Sequence, residues 1–279
     1  MNFRNLMFII SITMIGFCFT LYFQSDLDVQ SINFDRYKDL TYNESRSHSL
    51  EELNNQILPL KMESLIQEII EKNKAAGERT RIMEIGAGNG RVLMTLKKMF
   101  PEAEFYGINK EKTMTFYRRE SFILTALKFD IATKAELEGM ELPYIVFQDL
   151  DFGKPIPYAD NKFDLIYSQT TIPHIKYKFE LFAEITRVLK KGALSVHTEV
   201  SYLNVYKKGI VMDFRDALKE IRRKGIEIYQ LENLSTIKFK KPEIPAPFPV
   251  TPHQPLPDNI ESLTPEQRRP EMGYNFISE

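Results

Sequence analysis

The sequence predicts an α/β fold, a doubly wound and mostly parallel seven-stranded sheet closed by an antiparallel hairpin, and three observations carry that expectation. Short apolar runs alternate with stretches of helical period between residues 80 and 200, the alternation that builds parallel sheets covered by helices on both faces. The first of these runs leads into a turn of alternating glycines and then into a helix. A last pair of runs, Ile226–Leu231 and Thr236–Phe239, is joined by Glu232-Asn233-Leu234-Ser235, as a terminal hairpin would be.

Taken in order, residues 1–24 form an apolar N-terminal segment. Leu6 to Phe23 carries no charge and is about long enough to cross a hydrocarbon core as a helix. It lacks a small-residue cleavage site after the apolar run, so an uncleaved single-pass signal-anchor is preferred to a cleaved signal. Being apolar on every side, it is a poor match for an amphipathic core helix. Arg4 before the span, with Asp26 and Asp28 after it, places the N-terminus on the cytoplasmic side by the positive-inside tendency. That orientation rests on a single arginine, and the side of the membrane that carries the folded domain is open.

Residues 25–52 are polar and read as a tether. The folded domain is expected over 53–241, opening with a helix whose apolar positions Leu58, Met62, Leu65, Ile66, Ile69 and Ile70 share a face and which stops at Gly77. Strands are expected at Arg81–Ile85, Glu104–Ile108, Tyr144–Phe147, Phe163–Ser168 and Ala193–Val200, with helices near 90–99, 111–128 and 177–190 and another over Asp213–Lys224. The stretch 110–143 is longer than one helix requires and is read as a helix pair over the sheet, broken near Asp130–Thr133. Nine prolines from Pro242 to Pro270 make 242–279 an extended or disordered tail.

Composition narrows the function classes. Hydrophobic residues at 43% and charged residues at 27% suit a globular core, and 37 basic against 38 acidic residues leave a net charge of -1 with no drive toward nucleic acid. Cys18 is the only cysteine, and the four histidines stand in no ligand spacing, so no metal site is expected.

The most informative stretch is Arg81-Ile82-Met83-Glu84-Ile85-Gly86-Ala87-Gly88-Asn89-Gly90. Glycines between a strand and a helix permit a sharp turn and a close approach of ligand to backbone, next to the unpaired N–H groups of the helix start. Arg91 stands where a dinucleotide fingerprint requires its third glycine, which disfavours a nicotinamide-dependent oxidoreductase. The spacing E-x-G-x-G-x-G over 84–90 instead resembles the first motif of the class I S-adenosylmethionine-dependent methyltransferases. Two further segments strengthen the likeness. Asp149-Leu150, with Pro155-Ile156-Pro157-Tyr158-Ala159-Asp160-Asn161-Lys162-Phe163-Asp164-Leu165-Ile166, is similar to their "D-x-x-x-L-P-F-x-D-x-x-F-D-L-V" region. Glu184-Ile185-Thr186-Arg187-Val188-Leu189-Lys190-Lys191-Gly192 is similar to "E-x-x-R-V-L-K-P-G", with Lys191 in the place of proline.

The resemblance covers roughly 80–200 and implies a Rossmann-like fold and S-adenosylmethionine as cofactor. It implies that Glu84, Gly86, Ala87, Gly88 and Gly90 surround the methionine part of the donor. Asp149 would then bind the adenine amino group, with Leu150 packed on the ring. Asn109 stands where the family has an acid for the ribose hydroxyls, and Glu111 is the carboxylate that would substitute for that acid if the loop is arranged differently. Gln169, after the fourth strand, is expected to touch cofactor or acceptor. His174 is the candidate general base, matching a histidine of the similar segment. His197, expected within a strand, is given no role. The function expected is methyl transfer to a small-molecule or lipid acceptor, with the N-terminal segment at a membrane. The alternative is a catalytically inactive methyltransferase-fold scaffold at a membrane, motivated by Asn109.

Overall fold

A computed structural model of the chain describes residues 48–109, 119–147, 155–172, 175, 178–198, 205–207, 210–212, 228–230, 236–241 and 275–276. The anchor segment, the tether up to residue 47, and the helix expected at Asp213–Lys224 lie outside them. So do Glu111, Asp149, Leu150 and His174. Among the described residues no helix is long and apolar enough to cross a membrane.

The helix expected from Leu53 onward is two helices, α1 (Leu50–Gln56) and α2 (Met62–Ala75). Pro59 stands between them without an N–H to donate, and Leu58, expected in the core, is exposed. Ser49 caps α1 in a reciprocal box with Glu52, each side chain holding the other's backbone N–H. Strand β1 (Arg81–Ile85) is followed by α3 (Arg91–Met99), β2 (Glu104–Asn109), α4 (Arg119–Lys128) and α5 (Lys134–Gly139). Asp130, in a left-handed conformation, and the cap Thr133 separate α4 from α5, where the break was expected. Next come β3 (Tyr144–Phe147), β4 (Phe163–Ser168), α6 (Lys178–Val188), β5 (Leu189–His197), β6 (Val205–Lys207), β7 (Ile210–Met212), β8 (Ile228–Gln230), β9 (Ile237–Lys240) and β10 (Asn275–Phe276).

The main sheet has seven strands in the order β3-β2-β1-β4-β5-β9-β8. Its first five strands are parallel, and β9 pairs antiparallel with both β5 and β8, as the sequence predicts. Alternate residues serve opposite faces. Met83, Ile85, Tyr106, Ile108 and Ile166 pack with Leu181, Phe182, Ile185 and Val188 of α6. Ile82, Phe105, Leu165, Tyr167 and Val196 pack with residues of α1 to α5 on the other side. The order reverses direction between β1 and β4, and in open α/β sheets ligands bind at the carboxyl ends of the strands beside such a switch point.

A three-stranded sheet, β10-β6-β7, was not expected. In it Asn275–Phe276, from the proline-rich tail, pair parallel with Val205–Tyr206. The rest of 242–279 lies outside the described residues.

Two of the motifs are structural. Arg187 donates to Glu184, to Asp160 and to the carbonyls of Ile156 and Tyr158, while Glu184 accepts from the Ile156 N–H at 2.8 Å. The Glu184–Arg187 pair therefore pins the segment before β4 onto α6. Asp164 accepts from the Arg81 N–H at 2.8 Å and pairs with Lys190, joining the starts of β4, β1 and β5.

Candidate functional site

At the carboxyl end of β1 the chain turns through Gly86, Gly88 and Gly90, all with positive φ. The turn is braced from within, since Gly86 N–H donates to Ile108 O and Gly90 N–H to Ala87 O, both at 2.7 Å. Asn89 Oδ1 accepts from the first N–H of α3 at 3.3 Å. The sequence suggests that the missing side chains leave room for ligand, but at two positions protein occupies that room. A methyl group on Gly86 would collide with Thr171, and one on Gly90 with the ring of Phe122. Thr171, just beyond β4, also reaches toward Gly86 O at 3.4 Å. The turn is thus seated between the β4 end and α4, with Gly88 part-exposed.

Asn109, the last residue of β2, is 4% exposed and faces Gly88 with both ends of its amide. Oδ1 accepts from the Gly88 N–H and Nδ2 donates to the Gly88 carbonyl, each at 2.9 Å. The amide expected at the ribose is therefore engaged with the turn.

Glu84, 4% exposed, lies on the face of the sheet shared with Tyr167, its Cα partner across β1 and β4. The Tyr167 hydroxyl donates to Glu84 Oε2 at 3.0 Å. Burial pushes the carboxyl up to about 8, outweighing the tyrosine hydrogen bond that favours the charged form. Burial also raises the Tyr167 phenol well above its ordinary value. Among the described residues no ion pair reaches Glu84. Tyr167 was not anticipated; the parallel register of β1 on β4 is the signal that would have found it.

At the end of β4, Gln169 is 5% exposed, and its Nε2 donates to Gln56 Oε1 of α1 at 3.2 Å. Thr170 adopts a left-handed conformation, and its N–H approaches Thr198 Oγ1 at 3.4 Å. Gln169 Oε1 and Thr170 Oγ1 are buried without hydrogen-bond partners among the described residues. Each such atom costs about 1–3 kcal/mol unless a ligand or water satisfies it.

His197 closes β5 and is fully buried, stacked on Phe239 and edge-on to Phe182. Ser195 spends its only hydroxyl proton on Ile166 O, so its oxygen accepts from His197 Nε2–H, and Ser168 donates to Nδ1. Burial pushes this imidazole down to about 3, leaving it neutral. It is a core residue, as expected. No group of three or more potential metal ligands occurs among the described residues.

A buried carboxyl with no cationic partner among the described residues, beside a part-exposed glycine turn, suits a positively charged ligand, and S-adenosylmethionine carries a sulfonium and an ammonium. The sheet order, the braced turn and this donor set define a class I S-adenosylmethionine-dependent methyltransferase domain. The family model described as "Methyltransferase domain" matches residues 76–223, more than half of the chain, and the chain belongs to that family. It is an enzyme family, with S-adenosylmethionine as cofactor.

A glycine/sarcosine/dimethylglycine N-methyltransferase of Actinopolyspora halophila is 27% identical over an alignment of 168 residues that covers 56% of this chain and 27% of that protein. The chain thus spans about a quarter of the length of this curated relative. Among solved structures, a SAM-dependent methyltransferase from Aquifex aeolicus matches with 17% identity and a TM-score of 0.38, over 69% of this chain and 97% of its own. The YcgJ protein of Bacillus subtilis matches with 14% identity and a TM-score of 0.35, over 62% and 94%.

Proposed function

We propose that this protein transfers the methyl group of S-adenosylmethionine to a small-molecule acceptor carrying an N–H or O–H. The observation that carries the donor half is Glu84, a carboxyl buried beside the glycine turn with no ion-pair partner among the described residues. Gly86, Ala87, Gly88 and Gly90 line the methionine end in this reading. Asp149 and Leu150 hold the adenine by the resemblance, and His174 is placed on the acceptor side as general base. When bound, the cofactor supplies an electrophilic methyl on a sulfonium. The chain's own contribution is to hold acceptor and donor close and aligned, which accounts for much of the acceleration in such displacements.

The acceptor half is supported by Gln169 Oε1 and Thr170 Oγ1. An amide oxygen with no partner calls for a donor, and a protic acceptor brings one. As a nitrogen or oxygen nucleophile becomes positive during attack, its remaining proton donates more strongly, so such contacts favour the transition state over the ground state. The N-methyltransferase named above makes an amine the first acceptor to try.

Calorimetric titration of the full-length protein with S-adenosylmethionine and S-adenosylhomocysteine tests the donor half, with NAD as control. Binding of both sulfur ligands is expected, weakened about tenfold or more by Asp149→Ala, the cost of one good hydrogen bond in a closed site. A folded protein that binds neither would refute the reading.

The uncharged run Leu6–Phe23 supports a membrane tether for the domain. The full chain is then expected in the membrane fraction after alkaline carbonate washing. Release into the supernatant would exclude an integral anchor.

A further inference from the structure

We infer that Asn109 is the positioning residue of the donor turn: its carboxamide fixes Gly88 through both backbone groups, and an acid in its place would weaken donor binding. The inference rests on the donor reading above.

The orientation of this amide is settled by its partners. A backbone N–H has to meet an oxygen and a backbone carbonyl has to meet an N–H, so Oδ1 faces Gly88 N and Nδ2 faces Gly88 O, both at 2.9 Å. Gly88 sits at φ +54 in the middle of a turn that two other side chains hold at Gly86 and Gly90. Thr171 and Phe122 press on the turn from either end, and Asn109 ties its centre to the end of β2. The left-handed, part-exposed backbone at Gly88 keeps its shape because the tie works in both directions.

Few side chains can make this pair. An ionised carboxylate only accepts. Aspartate at 109 would keep the contact to Gly88 N–H but set a negative oxygen against the Gly88 carbonyl at hydrogen-bond distance, in a place 4% exposed to solvent. A protonated carboxyl is different, because its C=O accepts and its O–H donates much as the amide does. The two readings of position 109 therefore predict opposite signs. If Asn109 were a weakened ribose ligand, Asn109→Asp would restore the family's acid and tighten the donor, most of all where the acid is ionised.

The experiment is calorimetric titration of the full-length protein, Asn109→Asp and Asn109→Ala with S-adenosylhomocysteine and S-adenosylmethionine across pH 5.5 to 8.5. Glu84 on β1 and Arg91 at the start of α3 are the charged or titratable groups of β1 and α3 nearest the turn in sequence. Arg81, Glu104, Tyr106 and Tyr144 lie further along β1, β2 and β3, Lys97 and Lys98 further along α3, and Lys110 and Glu111 follow Asn109 in the chain. They are common to all three proteins, so the ratio of affinities at each pH isolates position 109.

At pH 7.5 Asn109→Asp is expected to bind both ligands about tenfold or more weakly than the wild type. It should gain on Asn109→Ala steadily as the pH falls, because protonation rebuilds the two-way pair. The thermal midpoint of ligand-free Asn109→Asp should approach the wild-type value over the same range. Equal or tighter binding by Asn109→Asp at pH 7.5, with an advantage that grows toward high pH, would overturn the inference in favour of a ribose acid. If Asn109→Asp does not fold at pH 7.5, Asn109→Ala decides: lost donor affinity together with a lowered thermal midpoint of the ligand-free protein supports the positioning role, because losing a ribose ligand alone would leave the free protein unchanged, and unchanged affinity or an unchanged midpoint removes it. Failure of the wild type to bind either ligand sinks the donor reading and this inference together; failure of this inference alone shows only when the wild type binds.

Discussion

Gly90→Ala is expected to cost about 2–5 kcal/mol of stability and to abolish donor binding. Two terms make up that figure. Gly90 sits at φ +77, where an added Cβ costs about 1–2 kcal/mol in backbone strain. The new methyl also meets the ring of Phe122 on α4, and overpacking of this kind costs about 1–3 kcal/mol. Gly77 supplies the control, because its φ is +72 and nothing lies within 4 Å of an added Cβ. Gly77→Ala should therefore lose the strain term alone. Chemical denaturation of both variants separates the terms, and the excess loss in Gly90→Ala should shrink when Phe122 is shortened to leucine in the same chain. Equal losses in Gly77→Ala and Gly90→Ala would show that Phe122 does not press on the turn.

That contact also marks where the sequence stops being informative. The glycine pattern and the strand before it are local, and Arg81–Ile85 forms as expected because its residues alternate between two apolar faces. Phe122 against Gly90, and Thr171 against Gly86, join residues 32 and 85 positions apart, and nothing in local periodicity announces them.

Strand β5 begins at Leu189, four residues before the expected Ala193. Leu189 already pairs with Phe163 ahead of a register shift, while Lys190 and Lys191 look in sequence like the last turn of a helix. Strands β6, β7 and β10 are two or three residues long and were missed for want of any measurable period. Glu84, the glycines, Asn109 and Gln169, which the motif likeness singled out, lie at the carboxyl ends of β1, β2 and β4, where ligands bind in open α/β sheets. The contact of Asn109 with the backbone of Gly88 was not legible, because a residue type does not reveal which backbone groups its amide meets.

The buried carboxyl at the end of β1 gives the second large effect, and its sign follows from linkage. Glu84 in the unfolded chain ionises near 4.5, whereas in the folded protein it keeps its proton up to about 8. Between those values the native state binds one proton more than the unfolded state, so this group makes stability fall as pH rises from 4.5 to 8 and has no further effect above that. The full loss is on the order of 4–5 kcal/mol, since each unit of difference is worth about 1.4 kcal/mol. Glu84→Gln removes the titration while its Oε1 still accepts from Tyr167. The variant should match the wild type near pH 5 and exceed it by several kcal/mol near pH 8 in urea unfolding. It should also bind S-adenosylmethionine more weakly at pH 8, because the charge that offsets the ligand's sulfonium and ammonium is gone. Gaining stability while losing donor affinity is the signature of a group kept for binding at the expense of folding. Parallel stability curves for the two proteins from pH 5 to 8 would mean that Glu84 titrates normally, and with it would go the main physical argument for a cationic donor at this turn.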